Sequence, residues 1–116
     1  MARKKTIDFS ELSDPVLELV ANCFQALSDP TRLKILRELK EGPKTVQELC
    51  GPFTFSQPNI SRHLAILTGA GLVKKSKRGN YVYYSVANPR IFSLCDNVCS
   101  HVRKMLPVFD QAGAKK

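Results

Sequence analysis

A chain of 116 residues with 43% hydrophobic and 24% charged side chains has the composition of one globular domain large enough for a real core. Eighteen Lys and Arg against ten Asp and Glu leave a net charge of +8, which favours a polyanionic partner, nucleic acid ahead of a membrane surface. No apolar run approaches the roughly 18 residues of a membrane span and no secretory signal opens the chain, so a cytoplasmic location is expected, with the four cysteines as thiols.

Residues 1 to about 8 carry Arg3, Lys4 and Lys5 and little apolar pattern; they read as a mobile end, with a basic arm touching phosphate as the alternative. A first helix is expected from Asp14 to Leu27, with Asp14 as cap and Pro15 as the first helical residue. Val16, Leu17, Val20, Cys23, Phe24 and Leu27 give it an apolar face too broad for a surface helix of a small monomer. Pro30 restarts the chain into a second helix, Thr31 to Lys40, buried through Leu33, Ile35, Leu36 and Leu39. Glu41-Gly42-Pro43 ends it, and a short third helix follows from Thr45 to Cys50, with Val46 and Leu49 inward.

Gly51-Pro52-Phe53-Thr54-Phe55 then reads as the turn into the stretch around which the chain is organised. Ser56 opens a helix with Pro58 in its first turn, where a missing N–H costs nothing. Ile60, Leu64 and Leu67 fall at i, i+4 and i+7 and make one apolar stripe. Gln57, Asn59, Ser61, Arg62 and His63 lie off that stripe, and with Ser56 they carry the amide, hydroxyl and guanidinium groups that pair with base edges in a DNA major groove. Helix, turn and a second helix presenting polar residues is the helix-turn-helix arrangement.

Gly69-Ala70-Gly71 stops that helix, and Leu72 to Lys77 and Tyr81 to Val86 read as two strands joined by Arg78-Gly79-Asn80. The hairpin carries Lys74, Lys75, Lys77 and Arg78, a basic wing suited to phosphate or minor-groove contact. Asn88-Pro89 opens a last long helix, Pro89 to Leu106. Its apolar residues, among them Ile91, Phe92, Val98, Val102 and Met105, again cover too much surface for a monomer. The tail from 107 to 116 is expected to be mobile.

The expected fold is therefore mainly α, a single winged helix-turn-helix domain spanning 1–116, with about five helices and a two-stranded hairpin. It is expected to dimerise through its first and last helices. No phosphate-cradling loop, paired-carboxylate pattern or nucleophile motif accompanies His63, so no enzyme is expected.

Three motifs in order resemble one family. Phe24-Gln25-Ala26-Leu27-Ser28-Asp29-Pro30-Thr31-Arg32-Leu33-Lys34-Ile35-Leu36 is similar to the opening signature of the ArsR/SmtB winged-helix repressors. Ser56 to Leu64 resembles their recognition helix, and Gly71-Leu72-Val73 with Tyr81-Val82-Tyr83-Tyr84 resembles their wing. The resemblance implies a homodimer that represses transcription from a palindromic double-stranded operator and releases it when an inducer binds, in many members a thiophilic or borderline metal ion. The Cys-x-Cys pair of the family's arsenic sensors corresponds here to Thr45 and Gln47, so that site is absent, while Cys50 matches a third cysteine that some of them carry. The zinc sensors' Asp, His, His and Glu correspond to Asn88, Arg90, His101 and Lys104, which leaves one ligand.

Cys95 and Cys99 remain, at i and i+4 on the last helix, with Cβ atoms roughly 5–6 Å apart. A disulfide wants about 3.5–4.5 Å, so an intrahelical bridge would be strained. Two thiolates at that spacing can converge on one soft ion: As(III) or Sb(III) first, with Cd(II), Pb(II) or Zn(II) behind. A pyramidal ion needs one more sulfur, with Cys23 the first candidate and Cys50 the second. No constitutive cofactor is expected. Packing of the cysteines as small apolar residues, a thiol-based redox or reactive-sulfur response, and ligand-independent DNA binding remain the alternatives.

Overall fold

The structure is a computed structural model that describes residues 7–51 and 55–106. After one 3-10 turn at Phe9–Glu11 the order is α1 (Asp14–Leu27), α2 (Pro30–Leu39), α3 (Val46–Cys50), α4 (Gln57–Gly69), β1 (Val73–Arg78), β2 (Tyr81–Val86) and α5 (Ile91–Met105). This is the winged helix-turn-helix that the sequence predicts, with five α-helices and one antiparallel hairpin among the described residues. Among the described residues, no helix is long and apolar enough to cross a membrane.

Caps set the helix starts. Ser13, not Asp14, is the N-cap of α1, and Asp14 is its first residue; Pro15 is tolerated at either of the first two positions, which shifts the start by one. Asp29 caps α2 by accepting the Arg32 amide at 3.1 Å, so that helix begins at Pro30 rather than Thr31. Thr45 and Glu48 form a reciprocal capping box on α3, at 3.1 and 2.9 Å. The expected Gly51–Phe55 turn lies largely outside the described residues, in 52–54, as do the basic arm of Arg3, Lys4 and Lys5 and the tail 107–116.

Gly71, at φ +76°, ends α4 in a Schellman motif: its N–H bonds the Thr68 carbonyl and the Leu72 N–H bonds the Leu67 carbonyl, both at 3.0 Å. The strands pair with Val73 opposite Val86 and Arg78 opposite Tyr81. Arg78 therefore belongs to β1, and the turn is Gly79-Asn80, with φ positive at Gly79 (+62°) alone, as a type II′ turn requires. Lys44 adds one antiparallel bridge to β2, exchanging N–H···O bonds with Tyr84 at 2.7 and 2.9 Å. That bridge fastens the wing to the α2–α3 connection. α5 starts at Ile91 and not at Pro89, because residues 91–93 first bond carbonyls three positions back, in a tighter turn opened by Asn88.

The core lies between α2, α3 and α4: Ile35, Leu36, Leu39, Leu49, Ile60, Leu64 and Leu67, closed by Ala26 and Val73. Leu33, expected inside, is 43% exposed, because it stands at the edge of the stripe that Ile35, Leu36 and Leu39 define. α5 contributes no buried residue; Phe92 packs half-buried on the core, with Lys40 Nζ 5.5 Å above its ring. The apolar faces of α1 and α5 are thus left open, with Phe24, Val98 and Met105 each more than half exposed.

Leu64→Ala removes a fully buried side chain from the centre of this core. It should lower the free energy of unfolding by about 2–5 kcal/mol, measured by denaturant titration.

Candidate nucleic-acid interface

α4 separates its faces cleanly. Ile60, Leu64 and Leu67 are fully buried, while Gln57, Pro58, Ser61, Arg62 and Ala65 are exposed along the opposite side. The Ser56 hydroxyl accepts the Asn59 amide at 3.3 Å, which fixes the first turn and occupies one lone pair of a residue expected to face DNA. Asn59 is half-buried beside it. The exposed stripe is a guanidinium, an amide and a hydroxyl on a rigid helix, the donor and acceptor set that reads major-groove edges. Ala65, which a search for polar groups passes over, sits one turn beyond Ser61, and its methyl is the kind of surface that meets a thymine methyl.

His63 departs from this pattern. Its side chain is 16% exposed and turned toward α2, with Nδ1 3.2 Å from the Arg32 guanidinium and 3.9 Å from the Asp29 carboxylate. The periodicity places His63 off the apolar stripe, yet the α1–α2 junction packs over it and removes it from the outward face. The Arg32 backbone N–H, then the Arg32 charge, hold the Asp29 carboxyl below its ordinary range.

The wing's basic residues divide between two faces. Residues directly opposite in an antiparallel pair share a face, so Lys75 and Lys77 lie with Tyr84 and Val82, on the side where Val73 enters the core. Lys74 and Arg78 lie on the other side with Ser85, Tyr83 and Tyr81. Arg78 rests 5.1 Å above the Tyr83 ring, which directs its charge along the outer face. All four cations are exposed. The alternation is legible once the register is known, and the register comes from the two-residue turn.

The cysteines do not gather. Cys23 donates its S–H toward the Ala70 carbonyl at 3.5 Å, and Cys50 packs against the core. Cys95 is half-buried and Cys99 exposed on α5. Burial, then Cys99 and Asp96, push the Cys95 thiol above its ordinary value. Among the described residues, no three His, Cys, Asp or Glu side chains of one chain come close enough to hold a metal ion. Among the described residues, neither Cys23 nor Cys50 joins Cys95 and Cys99 as a third ligand within a protomer.

A basic wing beside a helix with one buried and one polar face defines a winged helix-turn-helix DNA-binding protein. Residues 29–75 match the family described as bacterial regulatory protein, arsR family. The transcriptional repressor SdpR of Bacillus subtilis is 45% identical over 65 residues, which cover 56% of this chain and 72% of that protein. The arsenical resistance operon repressor of Escherichia coli is also 45% identical over 65 residues, covering 55% of this chain and 56% of that one. The solution structure of the homodimeric winged helix-turn-helix DNA-binding domain Mb0332 from Mycobacterium bovis superposes with a TM-score of 0.72. It has 28% identity and covers 83% of this chain and 95% of that domain. The chain belongs to the arsR family of bacterial regulatory proteins, transcription regulators and not enzymes.

Ser56→Ala should loosen the first turn of α4 by about 1 kcal/mol, seen as faster hydrogen exchange at the Asn59 amide with the rest of the helix unchanged.

Proposed function

We propose that the protein is a homodimeric repressor that binds a palindromic operator through α4 and the wing and releases it when Cys95 and Cys99 capture a thiophilic metalloid, with trivalent arsenic or antimony first. The observation that carries the DNA-reading part is the two-sidedness of α4: its inner stripe is fully buried and its outer stripe of Gln57, Ser61 and Arg62 is exposed. Lys74 and Arg78 on one face of the wing, and Lys75 and Lys77 on the other, neutralise phosphate on either side of the hairpin. The homodimeric state of Mb0332 and the uncovered apolar faces of α1 and α5 support a dimer built from those helices.

The identity of the inducer rests on donor chemistry. The similarity to an arsenical resistance operon repressor supports it, although the cysteine positions are this chain's own. Each thiol that reacts with arsenous acid replaces one hydroxide, and the thiol proton leaves with that hydroxide as water. One chain supplies two sulfurs for this exchange; the third position keeps its hydroxide or takes a cysteine from the second copy. Burial raises the Cys95 thiol above its ordinary value, so ion capture there must itself displace the thiol proton. Bridging α5 alters how the subunits pack, and with it the separation of the two recognition helices, which must match half-sites about one helical turn apart. By linkage, operator DNA weakens metalloid binding by the same factor.

Arg62→Ala should abolish sequence-specific binding in gel-shift titrations while the dimer stays folded; unchanged affinity would remove α4 as the reader. Cys95→Ser combined with Cys99→Ser should leave operator affinity intact and eliminate release by arsenite or antimonite. Release that persists in the double variant places the sensor elsewhere.

A further inference from the structure

The half-buried histidine of α4 belongs to a polar joint that the DNA-reading face does not use. Arg32 Nε donates to the Ala26 carbonyl at 2.6 Å, and a terminal nitrogen reaches the Gln25 carbonyl at 3.4 Å. Both carbonyls lie in the last turn of α1, and the Gln25 carbonyl also accepts the Ser28 N–H and hydroxyl, at 3.1 and 2.7 Å. The other terminal nitrogen of the same guanidinium meets His63 Nδ1 at 3.2 Å. One side chain thus joins the end of α1 to the middle of α4.

From this geometry we propose that His63 is a positioning residue for the recognition helix, tying α4 to the end of α1 through Arg32, and that protonation of its ring breaks the tie and weakens DNA binding. This rests on the reading of α4 as the DNA-binding helix. A guanidinium has donors only, so His63 Nδ1 must accept, and the neutral ring carries its proton on Nε2. A protonated ring has a donor at both nitrogens and faces Arg32 as a like charge. Asp29 Oδ2, 3.9 Å from Nδ1, is then the acceptor within reach, but it already caps α2 through the Arg32 amide. Acidification therefore sets the ring against Arg32 and draws on the α2 cap, both at the junction of α1, α2 and α4. The charged groups against the ring are Arg32 and Asp29, from α2 and its cap. α1 offers the Gln25 and Ala26 carbonyls, and α4 itself carries the exposed Arg62 next in sequence.

The chain has two histidines, and His101 is exposed on α5, which makes the test separable. The probe is a duplex selected from random-sequence DNA by the purified protein. Wild-type affinity should fall on the order of tenfold between about pH 7.5 and 5.5, the range over which histidines change charge. His63→Asn, which keeps an acceptor near Nδ1 and cannot titrate, should hold affinity at the upper pH and flatten the profile. His101→Gln should keep the wild-type profile, and His63→Leu should bind weakly throughout. A wild-type slope in His63→Asn, or wild-type affinity in His63→Leu, overturns the proposal.

Nitrogen NMR without DNA decides it independently. The neutral ring should carry Nε2–H, and the amides of residues 25–28 should shift with the midpoint of the His63 ring, an effect absent in His63→Asn. An Nδ1–H tautomer, or amides indifferent to the ring, overturns it even if no duplex is selected. Failure to select any duplex counts against α4 as the DNA reader, and the NMR result then decides the joint alone.

Discussion

Burial of Ile60, Leu64 and Leu67 governs the geometry of everything around them. Each is fully buried against α2 and α3, and burial of side chains this size contributes about 1.5–3 kcal/mol apiece. Their i, i+4, i+7 spacing fixes the rotation of α4 about its axis, so Gln57, Ser61, Arg62 and Ala65 have one direction open to them. The same anchoring extends to the wing, since Val73 follows Gly71 directly into the core and Lys44 pins Tyr84 from the opposite side. Reader and wing are held by one small core, which makes their mutual position a property of packing and not of loops.

The core is one-sided, and that explains the rest of the architecture. α1 gives it Ala26 and α5 gives it the half-buried Phe92, while both helices keep long apolar faces outward. The interior that α1 and α5 lack is what a second copy would supply, and it would join them into a single layer. In such an arrangement the elements that hold the dimer together are the least anchored within a protomer. Small changes in how they pack can therefore move the reading helices without disturbing the core that seats them.

Two polar features sit where that mechanical freedom is. Cys95 and Cys99 lie on α5, which buries no residue in the core, so a ligand held there would act on packing and leave the protomer folded. Arg32 sits at the other end, where its single guanidinium satisfies α1 carbonyls and meets the α4 histidine. Exposed pairs of charges would be worth little here, whereas a half-buried guanidinium with three directed contacts ties helix orientations together. Cys23 adds a weaker link, from α1 to the Ala70 carbonyl at the end of α4.

Local chemistry made much of this protein legible in its residues. The Ser56 cap, the glycine stop after α4, the glycine turn between the strands and the stripe of α4 depend on neighbours within a few positions, so the elements and the winged arrangement could be read directly. Starts next to proline slipped by one or two residues, because proline is tolerated at several places in a first turn. Leu33, His63 and the cysteines were beyond such reading. Leu33 stands at the edge of its stripe and His63 lies under a crossing helix junction, and periodicity says which face a residue is on but not how far cover extends over that face. Which cysteines meet depends on how far α5 stands from α1, a distance set by tertiary packing. The sequence by itself determined the helices, the hairpin and the polar stripe of α4. Tertiary structure alone decided that His63 turns inward to Arg32 and that α1 and α5 keep their apolar sides open, because each depends on contacts between residues distant along the chain.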